Sequence, residues 1–408
     1  MSLKSLLRSQ PMLAALKHKP FRWFFMGRIL SSGCMQMGGV AQGWLVYELT
    51  GSGFALGWVG SGWAIATLVL SLFGGTLSDR SEKRRILIWM RGLQIAISVV
   101  QVVLIMTDAI QVWHLAAASL TSGICFSFMM PAQNALLYEL VDRETLLNAV
   151  SLSSVGMGLM GIVAAWAAGF AIDALGIDAA YVFMTLLHLG VLLTLFGLPK
   201  SYSQGKARHS AWSDLVAGVR YLRIEPLLIP LVLLVFVRGA LGMPYRSMMP
   251  KFAQDVMGYS AEGLGGLTSA VSVGGLVTSL ALASLGDYRR KGRLLLLGGI
   301  TMGLAIVAFA NWPREGVVHA FLVIVGVAGT NCMVLNQTLL QEASADEYRG
   351  RVMSMYMMAF GLAQLCTMPI GALADLLGVQ TVLSVAGLAM AAIFGWVLLR
   401  KRNVRQLA

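Results

Sequence analysis

Residues Gly74–Arg85 read GGTLSDRSEKRR, a burst of charge between two apolar runs near 54–77 and 86–107. Each run reaches the roughly 20 apolar residues that cross a hydrocarbon core. The charged stretch is therefore a loop at one bilayer face, and the runs beside it are spans. Half a chain later the pattern returns. An offset of 208 residues lays Gly57 on Gly265, Leu68 on Leu276, Leu77 on Leu285, Asp79 on Asp287 and Lys83 on Lys291. In this second copy, ASLGDYRRKGR (Ala283–Arg293), the aspartate stays and the leading glycine is lost. Further along, an offset of 202 to 203 pairs Asn134 with Asn336, Glu139 with Glu342, Ser151 with Ser354, Gly158 with Gly361, Asp173 with Asp375 and Gly176 with Gly378.

Outward from these loops, hydrophobic segments fall near 21–47, 54–77, 86–107, 113–138, 149–172, 180–198, 227–254, 262–285, 293–310, 316–340, 352–374 and 379–399. The composition agrees, with 408 residues, 57% hydrophobic and 12% charged, and mean hydropathy +0.73. A soluble fold could not bury so much apolar surface. The expected fold is an all-α membrane protein of twelve transmembrane helices in two pseudo-symmetric bundles. One six-helix bundle covers 1–198, a cytoplasmic linker 199–225, and a second six-helix bundle 226–408. Within the linker, Leu215, Val216, Val219 and Leu222 recur at helical spacing, which predicts an amphipathic helix on the membrane surface over Trp212–Arg223. Parallel repeats related by an axis along the membrane normal place a substrate site between the halves, near the midplane.

The net charge of +12 would suggest nucleic acid in a soluble chain, but its placement here is a topology signal. With the amino terminus in the cytoplasm, all of the 31 Lys and Arg except Arg28, Arg238, Arg246, Lys251 and Arg314 fall in inner loops or at inner helix ends. The positive-inside rule thus predicts both termini in the cytoplasm. Cys34, Cys125, Cys332 and Cys366 lie in apolar stretches without paired spacing, so neither a disulfide framework, a metal site nor any other cofactor is indicated. Residues 1–20 hold apolar runs too short for a signal peptide, and no cleaved segment is expected.

The loop Gly74–Arg85 resembles the signature of major facilitator superfamily transporters: Gly75, three residues, Asp79, Arg80, then Arg84 and Arg85. The resemblance spans nearly the whole chain. WLVYELTGSGFALG (Trp44–Gly57), PAQNALLYELVDRETLLNAVSL (Pro131–Leu152) and LLQEASADEYRGRVMSMY (Leu339–Tyr356) are similar to the bacterial branch that holds the enterobactin exporter and macrolide-efflux-like proteins. That likeness implies the major facilitator fold, a multi-pass location in the bacterial inner membrane, and efflux by an antiporter with protons as coupling ion. It also implies that Asp79 contacts the inner end of helix eleven, near Arg351, and latches the cytoplasmic side. Two positions depart from the pattern: Glu82 stands where a glycine is usual, and AAWAAG (Ala164–Gly169) replaces a Gly-Pro-rich antiporter motif in helix five.

Charges inside spans are costly unless paired or hydrated, which makes them pointers to function. Arg28, Ser32 and Gln36 form one stripe on helix one, and Arg238, Gly242 and Arg246 a second on helix seven. Two readings stand: a cationic cavity for an anionic substrate, or side chains snorkelling to the surfaces, Arg28 inward and Arg246 outward. Gln133, Asn134, Asn331, Asn336, Gln337 and Gln364 are uncharged cavity candidates that serve equally well in helix packing. Glu139 and Glu342 end helices four and ten near Arg143, Arg349 and Arg351, which suggests a cytoplasmic gate of ion pairs with Asp287 in the second loop. No Asp or Glu falls in the middle of a span. Candidate coupling groups are therefore Asp173 and Asp375 at matched outer helix ends, where capping is the plainer role, and His188, whose default reading is a neutral packed imidazole.

These features predict a monomeric secondary transporter that contacts a small-molecule substrate and membrane lipids, exporting an amphiphilic, anionic organic molecule such as a siderophore or lipid-like compound. The competing expectation is a broad-specificity drug pump, whose cationic substrates call for cavity carboxylates. A membrane-embedded enzyme or non-transport receptor is disfavoured because the chain shows no HExxH pair, P-loop, GxSxG elbow or sizeable soluble domain.

Overall fold

The structure, a computed structural model, describes residues 15–200, 220–221, 224–225, 227–285, 290–345, 348–405 and 407, with backbone alone for 71–80, 143–144, 147 and 283–285. The side chains of Asp79, Arg80 and Arg143, the packing around Gly75, the whole of Asp287 and most of the expected surface helix 212–223 lie outside the described set.

The six helices of the first half are α1 (Lys19–Thr50), α2 (Gly53–Arg80), α3 (Lys83–Met106), α4 (Val112–Leu140), α5 (Arg143–Leu175) and α6 (Ile177–Phe196). The second half begins with α7, which is built in segments: Leu228–Val237, a π-helical turn Arg238–Gly242, Pro244–Ser247 and Met249–Asp255. It continues through α8 (Ala261–Leu285), α9 (Lys291–Asn311), α10 (Val317–Glu342), α11 (Arg349–Leu365 and Thr367–Leu377) and α12 (Val379–Arg400). Each expected hydrophobic segment thus appears as a helix, in order. Eleven of the helices are long and apolar enough to cross a membrane. The remaining helix is α1, whose 32 residues include Arg28, Ser31, Ser32, Gln36 and Gln42.

Local chemistry explains the joints. The Ser52 hydroxyl accepts from the Ala55 amide and starts α2. Gly176 and Gly378, matched in the repeat, adopt φ of +94° and +84°, which lets one residue join α5 to α6 and α11 to α12. The AAWAAG stretch leaves α5 unbroken from Arg143 to Leu175.

The two halves meet where α2 packs on α11 and α5 packs on α8. Small residues make both crossings close. A Cβ on Gly371 would stand 2.1 Å from the Gly53 carbonyl oxygen, and one on Gly57 2.6 Å from the Met368 Cα. On the opposite diagonal a Cβ on Gly169 would stand 2.2 Å from the Ala261 carbonyl oxygen, and one on Gly265 2.6 Å from that of Ala165. These crossings lie at the end of the bundle remote from the chain termini, called distal below.

Both obstacles at Gly371 and Gly169 are backbone atoms, which cannot rotate away as a side chain would. Gly371→Val is therefore expected to force α2 and α11 apart at a cost of about 1–3 kcal/mol. Reactivity of a cysteine at Thr367, buried on α11 against Gly57, toward a bulky thiol reagent should rise in this variant once the native cysteines are replaced; unchanged reactivity would show that the crossing tolerates the added bulk.

Candidate functional site

The polar groups that join the halves run from the middle of the bundle to its distal end. In the middle, the Arg246 guanidinium on α7 donates to the Gln36 amide oxygen on α1 at 2.5 Å, and the Gln36 amide donates to the Ser272 hydroxyl on α8 at 3.3 Å. Gln36 is buried and Arg246 exposed. Arg246 thus reaches inward across the interface, which removes the outward-snorkelling reading. The other members of the two stripes stay within their own halves. Ser32 donates to the Met157 carbonyl at 3.1 Å, while Arg28 reaches the Met157 sulfur at 3.5 Å and lies 5.8 Å from the Phe24 ring centroid. Arg238, only 5% exposed, meets the Met243 sulfur at 3.6 Å and the Phe360 ring at 5.9 Å. Gly242 packs on Met302 and Met390. The π-helical turn explains why the α7 stripe splits, since its wider repeat breaks the spacing of four that would hold three residues on one face.

Among the described residues, Arg28, Arg238 and Arg246 form no ion pair with a carboxylate. Thioether and ring contacts are weak partners for guanidinium ions, which leaves this region rich in unneutralised positive charge. Of the uncharged candidates, Asn331 and Asn336 donate to the carbonyls of Leu294 and Leu231 and so tie α10 to α9 and α7. Gln133 lines a small crevice with Arg28 and Ser31, Asn134 is exposed, and Gln337 and Gln364 are half-buried.

At the distal end each half caps a helix of the other. Asp173, ending α5, accepts from the Ala261 and Glu262 amides at the start of α8, at 3.1 and 2.9 Å. Asp375, ending α11, accepts from the Gly53 and Phe54 amides and the Ser52 hydroxyl at the start of α2, at 2.7, 3.0 and 2.7 Å. A carboxylate on free amides at a helix start contributes about 1 kcal/mol. The Asp375 side adds an ion network: Lys251 lies 3.2 Å from both Asp255 and Asp375, and the Tyr47 hydroxyl donates to both Asp255 oxygens, at 2.6 and 2.7 Å. Lys251 stands beyond the apolar span Leu228–Ser247. Burial works against its charge, but the oxygens of Tyr47, Asp255 and Asp375 outweigh that and raise its pKa above the ordinary lysine value. These contacts hold the distal ends of the two halves together.

At the opposite end, Glu139 pairs with Lys83, and Glu342 pairs with Lys291 at 2.6 Å. These pairs are repeat-matched, and each joins two helices of the same half, α3 to α4 and α9 to α10. Arg349 donates to the Gln341 carbonyl, Arg351 lies over the Tyr348 ring, Arg84 donates to the Phe196 carbonyl, and Arg85 is exposed.

One buried group escaped the sequence reading. Arg91, counted there with the inner helix ends, is 3% exposed on α3; it bonds the Ser31 hydroxyl of α1 and His188 Nδ1 of α6, both at 2.8 Å. Accepting at Nδ1 requires that His188 be neutral and carry its proton on Nε2. The signal was there, in a lone arginine within an apolar run facing a lone mid-span histidine. Removing the acceptor leaves a buried cation with Ser31 as its described partner, whereas removing the cation leaves only neutral groups. His188→Leu should therefore lower stability by about 1–3 kcal/mol and Arg91→Leu by less. Thermal unfolding in detergent tests the order, and equal losses would contradict this account of the pair.

The comparisons with known proteins agree with this architecture. Residues 24–367 match the Major Facilitator Superfamily. The chain is 26% identical over 367 residues to the multidrug efflux pump Tap of Mycolicibacterium fortuitum, across 86% of this chain and 88% of the relative. It is 26% identical over 344 residues to the enterobactin exporter EntS of Shigella boydii serotype 18, across 83% and 82%. Its fold matches the nucleoside transporter NupG with a TM-score of 0.73 at 14% identity, over 94% of this chain and 99% of that one. A bacterial homologue of the lysosomal transporter Spinster, inward-facing and unoccupied, matches with a TM-score of 0.73 at 13% identity, over 98% and 99%. By the extent of its match, by the twelve long helices among its described residues and by its repeated halves, the chain belongs to the Major Facilitator Superfamily and is a multi-pass membrane transporter.

Proposed function

We propose that this transporter works by alternating access as a monomer in the bacterial inner membrane, and exports an amphiphilic, anionic organic molecule of siderophore-like or lipid-like character. The observation that carries the reading is Arg238, a buried guanidinium whose described neighbours are a thioether and an aromatic ring. A cation desolvated to that degree calls for an anion, and a ligand carboxylate, sulfonate or phosphate supplies one with bidentate geometry. The apolar side chains around it, Met243 and Phe360 among them, suit the body of an amphiphile. Similarity to EntS supports export, and the distal caps support a mouth that opens and closes. The second reading, a broad-specificity drug pump, has the similarity to Tap in its favour. It requires cationic substrates to be held without a carboxylate at Arg28, Arg238 or Arg246.

Two measurements separate these readings. In a thermal-shift screen of the purified protein, anionic siderophores and lipid-like acids should stabilise it while cationic dyes do not. Arg238→Gln should weaken the anions roughly tenfold to a hundredfold. Preference for cations, or an unchanged Arg238→Gln, would favour the drug-pump reading.

The charge asymmetry orients the termini toward the cytoplasm and the distal caps outward. Cysteines at Asp178 and Ser260 should then react with an impermeant thiol reagent in intact cells, and one at Ser81 should not. Labelling at Ser81 alone would reverse the orientation.

A further inference from the structure

The bridge from Arg246 through Gln36 to Ser272 is the one place among the described contacts where an unneutralised cation also holds the two halves together. We propose that Arg246 is an anion subsite gated by Gln36: an anionic group on the ligand takes Arg246 from the Gln36 amide and, in doing so, breaks a contact that keeps the distal mouth shut. This rests on the reading of an anionic ligand and says how its binding is linked to movement.

The geometry supports each step. Gln36 lies near the middle of α1 and Ser272 near the middle of α8, at the depth where a ligand between the halves would sit. Arg246 is exposed and so is open to a ligand, while Gln36 is 7% exposed and is held from both ends. Its amide oxygen accepts from Arg246 and its amide nitrogen donates to Ser272, whose hydroxyl in turn donates to the Thr268 carbonyl. The amide oxygen is a neutral acceptor. A carboxylate or phosphate offers the same guanidinium a charge-assisted, bidentate partner, roughly twice as strong as a neutral one. An anion therefore outcompetes Gln36, while a neutral amide offers only an acceptor of the same kind and a cation is repelled. Arg238 offers anionic attraction without this link, because its described contacts, Met243 and Phe360, belong to its own half. Opening by a ligand requires a difference in its affinity for the two states, and competition for Arg246 supplies that difference.

The consequence is an opposite effect of two neighbouring substitutions. Arg246→Gln removes the subsite. Gln36→Leu removes the competitor and leaves the subsite, so anion binding should tighten. A Gln36 that merely packs would not produce a gain.

The test uses the full chain in lipid nanodiscs, its four native cysteines replaced, with spin labels on cysteines at Ala109 and Glu315 on the distal loops of the two halves. Decanoate is the anionic probe and decanamide the neutral control. Expected results are that decanoate, and not decanamide, enlarges the long-distance population of the parent protein. Gln36→Leu should show that population without ligand and bind decanoate several-fold more tightly, whereas Arg246→Gln should bind it at least about tenfold more weakly. Arg238→Gln should weaken binding with no change in the ligand-free distances. Equal response to acid and amide, or no binding of either, overturns the anionic-ligand reading and this proposal with it. Selective decanoate binding that Gln36→Leu fails to tighten, or that moves no distances, overturns the gate alone.

Discussion

The closed state depends on backbone amides that have no partner within their own helices. The first turn of α2 and of α8 each presents free N–H groups at the distal end, and each is satisfied by a carboxylate from the other half, Asp375 or Asp173. The arrangement works only because glycines bring the backbones together. Gly371 against Gly53 and Gly169 against Ala261 leave no room for a Cβ. Capping and close packing thus reinforce one another, and losing either strands polar groups where the halves meet.

The two diagonals are related by the internal repeat but are not equal. Asp173 meets only helix amides in the described contacts, whereas Asp375 also meets Lys251, and through it Asp255 and Tyr47. The extra charge ties α11 to α7 through Lys251, and α7 to α1 through Asp255 and Tyr47. Exposed ion pairs contribute little on their own, but Lys251 is largely buried and shared among three oxygen-bearing side chains.

Helices, halves and repeat were all legible in the sequence, because apolar runs longer than a bilayer core admit one interpretation and matched glycines and aspartates betray duplication. The site was less legible, since it depends on which helices face one another. Asp173 and Asp375 stood out as a matched pair at helix ends, yet nothing in one dimension says that each caps a helix of the opposite half. Lys251 and Asp255, four residues apart just past the apolar run of α7, carried a pairing signal that the span-by-span reading left unused. Glu139 and Lys83 were each matched across the repeat, with Glu342 and Lys291, and that double match was the clue to their pairing. Arg238 and Arg246 shared a stripe only on the assumption of a regular helix, and the π-helical turn between them lay beyond any periodicity argument.

That turn has a mechanical meaning. A π turn stores one residue more than an α-helical path needs. Were the surplus taken up, the chain beyond Gly242 would advance in register, and each residue of advance turns a helix by about 100°. Arg246, Lys251 and Asp255 all lie on that downstream segment. A single local change of winding would therefore swing the midplane bridge and the distal network together, as two pins on one shaft.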